Sequence, residues 1–312
     1  MAAYIVRRLW QMLPTMLGVI LLVFFLFNWV GGDPAYVLAG KISSAEQIEN
    51  IRRQLGVDQP YWVQLGIFIK QVITADFGAS WSTNERVSNI LMTRLGPSLT
   101  VVVPLVLLAT LISIGLALAV AYVRGSFTDR AVMIVCTVGL SISILVYIIV
   151  FQYVFAYKLG WFPVQGWGDG FLENLFVYAS LPILIGLVVS IAPELRLYRT
   201  FVLDEIYQDY VRTARAKGVS ENRIMWIHVL RNASIPIITN LMAGIPGLLL
   251  GSFLIERFFS IPGIGREVIL AVERSDFPVI KAITVYVAFA TIATNLLADL
   301  TYKAVDPRVQ LK

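Results

Sequence analysis

Six charge-free apolar stretches punctuate the chain: Leu9 to Gly32, Leu95 to Val123, Ala131 to Tyr157, Asn174 to Pro193, Asn232 to Ile255, and Ala282 to Ala298. A helix needs roughly 20 apolar residues to cross the hydrocarbon of a bilayer. The pattern therefore predicts an all-α integral membrane protein with six transmembrane helices. The last stretch is the shortest and spans if Lys281 and Lys303 snorkel toward the two surfaces. The first follows Arg7 and Arg8, is too long for the apolar core of a signal peptide, and ends without an Ala-x-Ala site. It is expected to be a retained anchor.

Six spans put both termini on one side, and the cationic residues choose which. With the N-terminus inside, the inner segments carry 14 Lys and Arg and the short outer segments carry five. The remaining long outer segment is of a size that crosses largely regardless of its charge. Both termini are expected in the cytoplasm.

That outer segment, 33–94, has its own helical signals. Ser44-Ala45-Glu46-Gln47 is a capping-box pattern, and Ile48, Ile51 and Leu55 follow at helical spacing before Gly56. Asp58 and Pro60 open a second helix with Tyr61, Leu65, Phe68 and Val72 on one face. This face can lie on the membrane surface or on the bundle. The segment is read as a cap over the helices or as a platform for an external partner.

The loop between the fourth and fifth spans, 201–231, is the most informative part of the chain. From Asp204 to Lys217, residues Ile206, Tyr207, Tyr210, Val211 and Ala214 recur at helical spacing opposite Asp204, Glu205, Gln208, Arg212 and Arg215. Gly218 is placed to end this helix, and Ser220-Glu221 to start a second, with Ile224, Ile227 and Leu230 on one side. The expected product is a helix, a glycine corner and a helix on the cytoplasmic face.

The run Arg212-Thr213-Ala214-Arg215-Ala216-Lys217-Gly218 resembles the loop by which permeases of binding-protein-dependent ABC importers engage their ATPases, Ala214 and Gly218 holding the frame. Arg212 and Thr213 depart from the general Glu-Ala, and His228 and Arg231 stand for its Ile and Pro. Tyr210 to Gly218 instead reads as in the dipeptide, oligopeptide and nickel branch. The likeness covers nearly the whole chain. It includes Gly32-Asp33-Pro34-Ala35, Asp76-Phe77-Gly78, Leu159 to Pro163, Phe259 to Gly265, Asp276-Phe277-Pro278 and Asp306-Pro307-Arg308. One departure is Ser141-Ile142-Ser143-Ile144, where relatives carry a proline, and it predicts a straighter third span.

The resemblance implies a single permease domain over 1–312, of the type I ABC importer fold, that moves peptides or similar solutes (or nickel or glutathione) into a bacterial cell. The implied site comprises Tyr210, Arg212, Thr213, Ala214, Arg215, Lys217, Gly218 and Ser220, facing the ATPases. The implied partners are a homologous second permease, two ATP-binding subunits that hold ATP and magnesium, and an external solute-binding protein, all at the cytoplasmic (inner) membrane with its lipid. The chain itself is expected to bind no cofactor and to catalyse nothing, since no Gly-x4-Gly-Lys-Ser/Thr loop is present.

Composition agrees. Of the 312 residues 58% are hydrophobic and 14% charged, far from a soluble domain. The net charge of +5 fits positive inner loops as well as nucleic acid, which is not expected as a partner. One cysteine, Cys136, and one histidine, His228, exclude a disulfide framework within the chain and a zinc cluster. Gln152, Asn240, Thr294 and Asn295 are polar groups inside the spans and candidates for lining a path. A secondary carrier working alone would need a midplane carboxylate. Glu194 beside Arg196, Glu256 beside Arg257 at the outer surface, and Asp299 with Lys303 lie toward the span ends instead. Gly247 and Gly251 form a small-xxx-small pattern suited to close helix packing.

Overall fold

The computed structural model describes residues 2–30, 34–39, 44–249 and 252–305. The chain divides into two compact units, 1–97 with 262–293 and 98–261 with 294–311. Parts of the motifs noted above, namely Gly32-Asp33, Gly251 and Asp306-Pro307-Arg308, lie outside the described residues, as do the side chains of Asp299 and Lys303.

In the first unit α1 (Ala2–Phe25) continues as a π-helical turn, Leu26–Val30. After α2 (Pro34–Ala39) come α3 (Ala45–Leu55) and α4 (Tyr61–Thr74). The helix starts follow the sequence. Ser44 Oγ accepts the Gln47 amide while the Gln47 side chain accepts the Ser44 amide, and Gly56 ends the helix at φ +68°. The apolar face of α4 packs on the bundle: Phe68 and Val72 are buried with Ile20, Val23 and Phe24 of α1 and with Val285. Tyr61, expected on that face, is exposed.

The second unit begins within α5 (Val87–Tyr122), which stays helical through Pro104. It continues with α6 (Phe127–Ser141) and α7 (Ile144–Phe151), the latter extended by a π-helical segment to Lys158. The expectation of a straighter third span is wrong, for α6 and α7 meet at 92°. Serine replaces proline as the breaker. Ser143 takes an extended backbone and its hydroxyl accepts the Leu145 amide, Ile142 is also extended, and Ser141 Oγ donates back to the Thr137 carbonyl. Tyr147 Oη then donates across the bend to the Gly139 carbonyl at 3.0 Å.

The short α8 (Phe171–Glu173) leads through a π-helical turn into α9 (Ser180–Ile206). Here Gly186 lies against Leu105 so closely that an added Cβ would come within 2.0 Å of it, so the site admits only glycine unless Leu105 moves. Then follow α10 (Asp209–Ala216), α11 (Glu221–Arg223) and α12 (Leu230–Leu249), the last two joined by a π-helical segment, Ile224–Val229. The unit is completed by α13 (Phe253–Phe258) and by the end of α15 (Phe277–Val305). In the first unit α14 (Ile264–Glu273) precedes the start of α15.

Among the described residues four helical segments are long and apolar enough to cross a bilayer, Trp10–Trp29, Val87–Tyr122, Ser180–Ile206 and Phe277–Leu297, and the bent α6–α7 pair makes a fifth. Many of their large apolar side chains, such as Leu107, Leu111 and Val135, face outward, as expected where the solvent is hydrocarbon. The predicted fifth stretch is carried by α12, which opens with Arg231 and Asn232, and by the separate α13.

Candidate functional site

The loop between α9 and α12 folds as a corner on a hydrophobic base. Val211, Ala214, Ile224, Met225 and Val229 are buried with Tyr198, Val202 and Ile206 of α9 and with Ala117, Leu118 and Ala121 of α5. Burial of about 25 cal/mol per Å² of apolar surface fixes the two short helices, which are too short to persist alone. The first of them is shorter than the sequence suggests. Asp204 to Ile206 belong to α9, and a break at Tyr207 and Gln208 precedes α10.

Two details of the apolar faces also differ. Tyr207 is exposed, its hydroxyl accepting from Arg124 Nη1 at 2.6 Å. Ile227 is exposed while Met225 and Val229 are buried, because the π-helical turn shifts the spacing away from the α-period assumed for Ile224, Ile227 and Leu230.

Gly218 turns the corner at φ +76°, a conformation that suits glycine, with open space where a Cβ would stand. Its amide and that of Val219 cap the carbonyls of Arg215 and Ala214. Ser220 sits at the start of α11 with extended backbone but makes no side-chain cap. A clasp closes the corner instead: Arg215 Nε and Nη2 donate to the two oxygens of Glu221 at 2.7 and 3.1 Å. Those bonds hold the Glu221 carboxyl below the ordinary carboxylate range and raise the Arg215 guanidinium. Tyr210 is half-buried and donates to Glu205 at 2.7 Å; burial first, and then that carboxylate, push its phenol up to about 12.

The expected site residues thus fall into two rows. Val211 and Ala214 face inward, with Tyr210 partly so, while Arg212, Thr213, Arg215, Lys217, Gly218 and Ser220 are exposed together. Arg212 pairs with the exposed Asp209 at 3.5 Å. The result is a cationic rim, exposed to solvent, on a buried apolar base.

The four path candidates do not behave alike. Gln152 is half-buried and its amide donates to the carbonyls of Val164 and Phe258, so it fastens a loop. Thr294 is buried, whereas Asn240 and Asn295 are exposed. Glu256, expected at the outer surface, is fully buried and accepts from Ser98 Oγ at 2.8 Å. The helix α13 that carries it is packed in a core with Ile255, Phe259 and Ile261.

Sequence reasoning missed a second polar cluster, in the first unit. The Asp276 carboxylate, 1% exposed, accepts from the amides of Trp81 and Ser82 at 3.1 and 3.2 Å and from the hydroxyls of Ser80 and Ser82. Arg94 pairs with Glu267 at 3.2 Å in the same unit. The runs Asp76-Phe77-Gly78 and Asp276-Phe277-Pro278, noted as familiar, flank that cluster and were its only signal. In the second unit Asp129 pairs with Arg199 at 2.8 Å and accepts the Gly125 amide, pinning the α5–α6 turn.

Long apolar helices joined by an exposed helix–glycine–helix corner are the architecture of a polytopic membrane protein. The comparisons agree. Residues 111–311 match the family described as binding-protein-dependent transport system inner membrane component, and residues 1–102 match the N-terminal membrane component of the same systems. The chain belongs to this family of ABC transporter permeases. It is 34% identical over 313 residues to a probable peptide ABC transporter permease of Sinorhizobium fredii, covering 99% of this chain and all of that one. It is 34% identical over 312 residues to a glutathione transport system permease of Salmonella choleraesuis, covering the whole of both chains. It is 36% identical over 319 residues to a putative peptide transport system permease of Brucella abortus, covering 99% of each.

Proposed function

We propose that this chain is the translocation subunit of an ATP-driven importer that carries small peptides inward, and that the 201–231 corner is the lever through which separate ATPase subunits act on it. In this reading α12 completes a set of six spans, and both termini lie in the cytoplasm, as the excess of Lys and Arg on the inner segments favours. The observation that carries the reading is the division of the corner into a buried apolar row and an exposed row of Arg212, Thr213, Arg215 and Lys217. A surface fastened so firmly to α5 and α9 passes a push to the spans instead of absorbing it. An ATP-bound partner must contact it differently from an ATP-free one, because an equilibrium shifts only by differential affinity.

ATP and magnesium belong to the partner subunits in this scheme. A homologous second permease and an external solute-binding protein complete the assembly. Peptide is the cargo favoured by the naming of two of the relatives, and glutathione, itself a small peptide, by the third. Extraction of the tagged chain from its native membrane in mild detergent, followed by mass spectrometry, tests the reading. A second permease and Walker-motif ATPases should purify with it. Recovery of the chain alone, still competent for gradient-driven uptake after reconstitution, would replace the importer by a secondary carrier.

A further inference from the structure

The first unit encloses a half-open cavity of about 920 Å³ between α1, α3, α4, the loop after α4 and the start of α15. Its walls include Phe24, Phe27, Phe68, Trp81 and Phe277, and Lys281 projects into this aromatic lining. The Lys281 ammonium is 5.6 Å from the Phe27 ring centroid and 5.9 Å from that of Phe68. Such rings hold a cation in place without neutralising it. The two carboxylates of the lining are engaged or peripheral: Glu49 pairs with Arg52 and Arg53 at 3.6 and 3.8 Å, and Asp58 is exposed at the rim. Among the described residues no carboxylate is paired with Lys281.

The depth of the cavity is set by the two spans that border it. Phe27 and Asn28 lie at the end of the apolar segment Trp10–Trp29, and Lys281 lies one turn into Phe277–Leu297. Exposed Trp29 closes that apolar segment, and exposed Tyr61 and Trp62 open α4; such amphipathic rings favour the headgroup region. A cation held between aromatic rings, in a cavity whose wall also carries the amides of Asn28, Gln64 and Gln71, is complementary to an anion with a polar head and an apolar tail.

We propose that this cavity binds one anionic phospholipid, with its headgroup phosphate taken by Lys281 and its acyl chains against the aromatic wall. The site is independent of the ATPase reading, since every group in it belongs to the first unit. A bound lipid here would tie α4 to α1 and α15 and make the stability of this unit depend on the membrane's anionic lipid content.

The test uses the detergent-purified transporter, stripped of lipid and titrated with phosphatidylglycerol of one chain composition, with bound lipid counted by native mass spectrometry. At a fixed subsaturating concentration Lys281→Gln should lower occupancy about fivefold, the scale of one lysine acting on an anionic headgroup, while Lys281→Arg retains it. Gln71→Glu, a nearly isosteric change in the cavity wall, should produce a similar loss with Lys281 in place, so the inference does not hang on one variant folding. Equal phosphatidylglycerol occupancy in wild type and in both the Gln and Glu variants would overturn it. So would displacement of the lipid by millimolar inorganic phosphate, which would mark a soluble-anion site, or equal Lys281-dependent retention of phosphatidylcholine.

Discussion

Two polar clusters hold this permease's connecting segments, and they are built on opposite principles. At Asp276 a carboxylate is removed from solvent and surrounded by four donors from three consecutive residues, Ser80 to Ser82. At the 201–231 corner the ion pair of Arg215 and Glu221 stays in water, and the shape is set underneath by Val211, Ala214, Ile224 and Val229. The first is an anchor whose polar groups are wholly spent on each other. The second spends Arg215 and Glu221 on each other in solvent and leaves Arg212 and Lys217 exposed beside them.

This difference can be broken by substitution. Asp276→Ala should have the largest effect, on the order of 2–3 kcal/mol, because it removes the acceptor of the buried Ser80 hydroxyl and of the part-buried bonds from Trp81 and Ser82. The expected readout is rapid proteolysis of the 78–86 segment in the folded transporter, where the wild type resists. Tyr210→Phe should cost about 1 kcal/mol, through loss of the part-buried hydrogen bonding of its hydroxyl with Glu205 and Asn232, seen as faster amide exchange across α10. Glu221→Gln should cost only a few tenths of a kcal/mol, since the pair is about 40% exposed on each side.

The clasp also has a pH signature. Arg215 depresses the Glu221 carboxyl below its ordinary value of 4.5, so the pair contributes fully above that value and its contribution is lost as pH falls through the depressed one. Amide exchange at the corner should therefore differ between wild type and Glu221→Gln at neutral pH and converge in acid.

Local signals in the chain were readable and long-range ones were not. The Ser44 capping box, the Gly56 stop and the Gly218 corner each depend on a few neighbouring residues, and the structure has all three. The bend at Ser141 to Ser143 was misread because proline is the familiar breaker, whereas two serines that bond to the local backbone do the same work. The phase of Ile227 was misread because a π-helical turn leaves no mark in an α-periodic pattern. Asp276 and its partners lie 194 to 196 residues apart, and Glu256 and Ser98 lie 158 apart, so no periodicity connects them. The exposed row of the corner was legible because amphipathic spacing and the family frame pointed to the same residues.

The central claim, that the corner is a lever and not merely a loop, turns on the backbone at Gly218. Valine there is strained at φ +76° by roughly 1–2 kcal/mol, while asparagine tolerates that region, and neither side chain meets a neighbour at its Cβ. The decisive measurement is solute-stimulated ATP hydrolysis by the reconstituted transporter with each substitution, at matched assembly. The account predicts that Gly218→Val loses most of the stimulation and Gly218→Asn keeps it. Normal coupled turnover in Gly218→Val would contradict it.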